Sequence, residues 1–111
     1  MQFTTTKNDF WITRLRSVIN SEKIADPDIR IGIFGSSTKS SIISDIDLVL
    51  IYRSHVSQDQ LNGLKLRLRA AIHTFFRLPV DFVTLSEQEA MESSFLQDEG
   101  VVLVLDWRLQ T

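Results

Sequence analysis

The chain has 111 residues, which suits one domain with a single modest core. Its residues are 43% hydrophobic and 23% charged with a formal charge of −2, an ordinary globular balance that gives no general attraction to nucleic acid or to an anionic membrane. It contains no cysteine, which excludes a disulfide framework, a thiolate zinc site and a cysteine nucleophile, and it shows neither a bilayer-spanning apolar run nor an N-terminal signal core, so a cytoplasmic protein is expected.

The threonines at 4–6 can cap a first helix over about 7–21, whose apolar face carries Trp11, Leu15, Val18 and Ile19 at helical spacing. Pro27, between two aspartates, marks a connector over 24–28. The isoleucine-rich run Ile29–Phe34 reads as a short strand, followed at once by Gly35-Ser36. A small polar stretch over 36–44, with Lys39 near its middle, reads as a loop or a loop with one helical turn. The clearest strand is 45–52, where Leu48-Val49-Leu50-Ile51 is apolar on both faces, as expected of a central strand covered on each side.

Ser57 and Gln60 have capping-box spacing and open a long helix. Its buried stripe is Leu61, Leu64, Leu68, Ile72 and either Phe75 or Phe76, and Pro79 ends it. Gly63 weakens the first turns by about 1 kcal/mol relative to alanine. A third strand is predicted over 80–85. A second capping box, Ser86 and Glu89, starts a short helix over about 87–98 that Gly100 closes, before a last strand over 101–105. The fold class expected is therefore α/β (α+β), a small mixed β-sheet flanked by helices in one domain over 1–111.

The chemistry concentrates in Gly35-Ser36, an eight-residue gap, and Asp45-Ile46-Asp47-Leu48. Two carboxylates at i and i+2 on a strand point to the same side. Their charges repel at the start of an otherwise apolar strand, a cost that a bound divalent cation removes. Mg²⁺ prefers oxygen ligands and commonly uses one or two carboxylates together with substrate phosphates. A glycine after a strand lets the backbone approach a ligand closely, and the Ser36 hydroxyl with the following N–H groups can take phosphate oxygens. Lys39 adds positive charge. Asp81 begins the strand Val80-Asp81-Phe82-Val83 much as Asp45 and Asp47 begin theirs. If the two strands are neighbours, three carboxylates converge, able to hold two metal ions or to accept a proton from an incoming hydroxyl.

Each of these features has a plainer reading: a Gly-Ser turn, a solvated strand end, an exposed residue after Pro79. It is their order along the chain that favours a metal–nucleotide site. His55 and His73 have no partner at metal-ligand spacing and are read as surface residues. Lys65, Arg69 and His73 share one helix face, read as a solvated face, with a partner or nucleic-acid contact as the sharper alternative. Trp11 and Trp107 are read as core in preference to interface. Ser36 has no evident His–Asp pair and is not read as a hydrolase nucleophile.

At these residues the sequence resembles the minimal nucleotidyltransferase family, a branch of the polymerase-β-like superfamily. That family's pattern is a strand, Gly-Ser, a short spacer, Asp-x-Asp and a third acidic residue on a later strand. Here Gly35, Ser36, Asp45, Asp47 and Asp81 match it, and Asp98-Glu99-Gly100-Val101-Val102-Leu103 is similar to family C-termini. Lys39 and Ser40 stand where members often carry arginine and glycine, and the spacer is about two residues short of the commonest version.

The resemblance implies a Mg²⁺-dependent transfer of a nucleoside monophosphate, usually AMP from ATP, to a hydroxyl, with loss of pyrophosphate. Asp45, Asp47 and Asp81 would hold two Mg²⁺ ions, and Gly35, Ser36 and Lys39 would bind the nucleotide. It also implies an antitoxin-like role, AMPylating a small helical HEPN-type partner, with the acceptor site shallow or completed by that partner. A homo-oligomer is compatible with it; nucleic acid and membrane are not expected as partners. The competing expectation is a nucleotidyltransferase-fold binding module that neutralises or scaffolds a protein without chemistry. A nucleic-acid binder using the basic helix face is a weaker third.

Overall fold

The structure, a computed structural model, describes residues 3–4, 8–21, 28–35 and 42–105. Its elements are β1 (Phe3–Thr4), α1 (Asn8–Ser21), β2 (Ile29–Phe34), β3 (Ile42–Ile43), β4 (Ile46–Tyr52), α2 (Gln58–Phe76), β5 (Val80–Ser86), α3 (Glu87–Glu92), α4 (Phe95–Asp98) and β6 (Val102–Leu105). The apolar run of β4 does occupy the middle of a four-stranded sheet, ordered β5-β4-β2-β6. β4 pairs antiparallel with β2 and parallel with β5, and β6 pairs antiparallel with β2. The parallel pair requires a crossover, and α2 supplies it.

Alternation along the strands sorts their side chains onto two faces. Ile29, Ile31 and Ile33 of β2 with Ile46, Leu48 and Leu50 of β4 face one way. There they meet Ile12, Leu15, Val18 and Ile19 of α1 and Leu61, Leu64, Leu68, Ile72 and Phe76 of α2 in the main core. On the other face Val49 and Ile51 pack with Ala90 of α3, with Phe34, Val83 and Val101 at the edges of this smaller cluster.

Both capping boxes form. Ser57 Oγ accepts from the Gln60 N–H at 3.1 Å while the Ser57 N–H donates to Gln60 Oε1 at 2.9 Å. Ser86 and Glu89 repeat the exchange at 3.0 and 2.9 Å. α2 stops at Phe76 because Arg77 turns left-handed (φ 58°), its N–H returning to the His73 carbonyl at 2.9 Å, two residues ahead of Pro79.

Three details depart from the sequence reading, and an alternative that it left open, Phe75 or Phe76, is decided. The helix expected over 87–98 is two short helices, α3 and α4. Ser93 is extended, and the Ser94 hydroxyl donates to Asp98 Oδ2 at 2.7 Å. The resulting bend lets Phe95 meet Phe34 edge-on, with ring centroids 5.2 Å apart. Within 36–44, Ile42–Ile43 is a strand pairing antiparallel with β1. Phe76 continues the buried stripe, while Phe75 is 51% exposed. Arg30, on β2, is only 4% exposed, a buried charge that the isoleucine pattern of its strand did not announce. Trp107 and the connector residues 24–27 lie outside the described residues.

Candidate active site

Asp45 directly precedes β4 and Asp47 is its second residue, so alternation puts both carboxylates on one side. In the parallel register of β4 and β5, Asp47 stands opposite Asp81. That register is pinned one step earlier, where Ile46 faces Val80 and the Ile46 N–H donates to the Pro79 carbonyl at 3.0 Å. One carboxylate oxygen from each of Asp45, Asp47 and Asp81 can be chosen so that all lie within 4.8 Å of one another. Asp45 and Asp47 are half-buried and Asp81 is exposed. The sheet thus brings together the three carboxylates that the sequence singled out. They lie at one end of the thinly covered face, beyond Val49 on β4 and Val83 on β5.

Three anionic groups this close repel strongly. Burial pushes the Asp47 carboxyl above its ordinary range, and the charges of Asp45, Asp81 and Glu99 push it the same way. The donor set is all hard oxygen, at a spacing that a small divalent cation spans, so the residues present fit Mg²⁺.

Gly35 stands where the sequence reading wanted close backbone approach, and the structure shows what it approaches. Its φ is +76°, and a Cβ there would lie 2.6 Å from Asp47 Oδ2. Phe34, its neighbour, is the cross-strand partner of Asp47. The glycine therefore seats the Asp47 carboxylate. Ser36 and Lys39, expected on the phosphates, lie outside the described residues.

Sequence reasoning missed Glu99. It follows α4, and its N–H donates to the Phe95 carbonyl at 3.0 Å, so the Phe95–Phe34 contact anchors it on the face that carries Asp47. The segment Asp98-Glu99-Gly100 reads as the end of a helix and, by resemblance, as a family-like C-terminus, but no strand periodicity ties it to β4, so the sequence gives Glu99 no site role.

A cavity of about 550 Å³ lies elsewhere, lined by Arg53, His55, Ser86 and Glu87, and none of the three aspartates lines it. It adjoins the far end of the β4–β5 pair, where Tyr52 faces Ser86. His55 Nε2 sits 2.9 Å from Asp28 Oδ2, and Arg53 reaches both Asp28 and Glu87, so this region is a surface ion-pair network. His73 is exposed on α2 and Arg69 lies over the Phe82 ring, 5.0 Å from its centroid.

The family model for the nucleotidyltransferase domain matches residues 13–103, a span that holds Gly35, Asp45, Asp47 and Asp81. Among solved structures the chain is similar to that of a Sulfolobus solfataricus protein assigned as a nucleotidyltransferase, at 20% identity over 86% of this chain and 81% of that one, with a TM-score of 0.47. No curated protein matches the chain. With the family model spanning β2, β4, β5, the crossover helix and all three carboxylates, the chain belongs to the nucleotidyltransferase domain family and is a transferase of that kind.

Proposed function

We propose that the chain transfers a nucleoside monophosphate, AMP from ATP, to a hydroxyl on a protein, in the manner of an antitoxin that AMPylates a small helical HEPN-type partner. The observation that supports this most is the convergence of Asp45, Asp47 and Asp81 across the β4–β5 register. These residues would hold two Mg²⁺ ions, which neutralise phosphate charge and favour ionisation of the attacking hydroxyl. The acceptor oxygen bonds to the α-phosphorus, the bond from that phosphorus to the bridging oxygen of the leaving group breaks, and pyrophosphate departs. The hydroxyl proton passes to Asp81, the most exposed of the three carboxylates, or to water. Gly35, Ser36 and Lys39 take the triphosphate, and the left-handed backbone at Gly35 supports the close approach this needs. ATP is a metabolite of the cell interior, so the reaction belongs in the cytoplasm; among the described residues no helix is long and apolar enough to cross a membrane.

The test is label transfer. Purified protein, α-labelled ATP and Mg²⁺ are incubated with extract of the source cells, beside Asp45→Asn and Asp47→Asn variants. A labelled band made by the wild type alone is expected. Transfer by folded Asp45→Asn at the wild-type rate would end this reading. A folded wild type that labels nothing while still binding a partner would favour the binding module.

A further inference from the structure

α2 turns a face toward solvent that the main core does not use. Leu66, Arg69, Ala70 and His73 recur at i, i+3, i+4 and i+7, a single stripe along the helix. Leu66 is 66% exposed there. This stripe forms one wall of a groove of about 500 Å³, and Pro79 and Val80 at the start of β5 form the other. The groove is apolar within and positive at its rim. Among the described residues Arg69 and His73 line it, and no acidic residue does. Lys65, one turn from Arg69, extends the same charge, while Asp59 in the first turn is the sole acidic residue of α2.

The position of the groove bears on the reaction. β5 is an edge strand, and its successive residues diverge. Val80 lines the groove, whereas Asp81 joins the carboxylate cluster. A molecule seated in the groove therefore lies one sheet edge away from the site.

The charge decides between occupants. A second copy paired two-fold along the β5 edge would set its own α2 on the same side of the joined sheet, basic stripe against basic stripe. A partner helix with an apolar ridge flanked by aspartate or glutamate meets both features of the groove.

We infer that the groove between α2 and β5 docks an acidic amphipathic helix of the protein acceptor, bringing a hydroxyl-bearing residue round the β5 edge to Asp81. This rests on the transfer reading above, and its test separates the two. Label transfer into cell extract is compared for wild type, Leu66→Asp, Arg69→Glu and, as a control on an exposed apolar residue of the opposite face, Met91→Asp. Mn²⁺-dependent binding of ATP is measured on each. Leu66→Asp and Arg69→Glu should each reduce protein labelling at least tenfold with ATP binding unchanged, and Met91→Asp should leave both intact. Labelling that survives Leu66→Asp overturns the docking site while leaving the transferase standing. In parallel, a fluorescent helical peptide with leucines at i, i+4 and i+7 and flanking glutamates is titrated against the full chain, beside its lysine counterpart. Binding of the acidic peptide at least tenfold tighter, lost in Leu66→Asp, supports the groove. Equal binding of the two peptides overturns it. If the wild type labels no protein at all, the transfer reading falls and the peptide comparison alone decides the groove.

Discussion

β4 sends alternate residues to the two faces of the sheet, and the faces differ in kind. Ile46, Leu48 and Leu50 enter a core closed by two long helices. Val49 and Ile51 enter a small cluster under two short helices, and Asp47 of the same parity stands half-buried at its end. Stability is concentrated on the α1–α2 face, and charge repulsion is confined to the face that contributes less of it. A carboxylate cluster on the well-covered face would sit in deep apolar surroundings, where an unpaired charge is far more costly.

The comparison can be broken by truncation. Leu48→Ala on the covered face should cost about 3 kcal/mol, as large-to-small changes at fully buried sites do, whereas Val83→Ala, half-buried on the thin face, should cost about 1 kcal/mol or less. Equal losses in urea unfolding would show that the two faces contribute alike. Gly35→Ala joins a left-handed backbone to a collision with Asp47 Oδ2. About 1–2 kcal/mol of destabilisation is expected from the backbone alone, together with a fall in transfer as the carboxylate is displaced; unchanged transfer would mean that Gly35 does not position Asp47. Gly63→Ala on α2, where none of the described residues lies within 4 Å of the added Cβ, should stabilise the chain by about 0.5–1 kcal/mol and leave transfer untouched.

The smallest effect sharpens the contrast most. The folded chain raises the Asp47 pKa, through burial first and then through Asp45, Asp81 and Glu99. An acid raised on folding holds its proton more tightly in the folded state. The associated stability is complete below the ordinary value of 3.8 and is lost as pH rises through the folded value. Asp47→Asn should therefore melt slightly above the metal-free wild type at neutral pH, and the two should converge in acid. Mg²⁺ should raise the wild-type Tm and leave that of the variant nearly unchanged. A variant that melts below the wild type at neutral pH without metal would show that Asp47 is held by favourable contacts and not by imposed repulsion.

Much of this molecule is written locally. The period of two in β2 and β4, the period of the α2 stripe, and the Ser57–Gln60 and Ser86–Glu89 boxes each depend on residues a few positions apart, so the chain order alone shows them. The pairing of Asp45 with Asp47 is local in the same sense, because i and i+2 share a face on any strand. What lies between distant segments is not written this way. Nothing within Val80–Ser86 says that β5 runs parallel beside β4 with Asp81 opposite Asp47; the α2 crossover and the Ile46–Pro79 hydrogen bond decide that. The contact of Gly35 with Asp47, the approach of Glu99 and the bend at Ser93 that lets Phe95 reach Phe34 belong to the same class. Local propensity determined which segments are helix and strand and which carboxylates share a strand. The tertiary structure alone decided which of those segments lie side by side, because that choice depends on how the apolar faces pack and not on any one segment's own pattern.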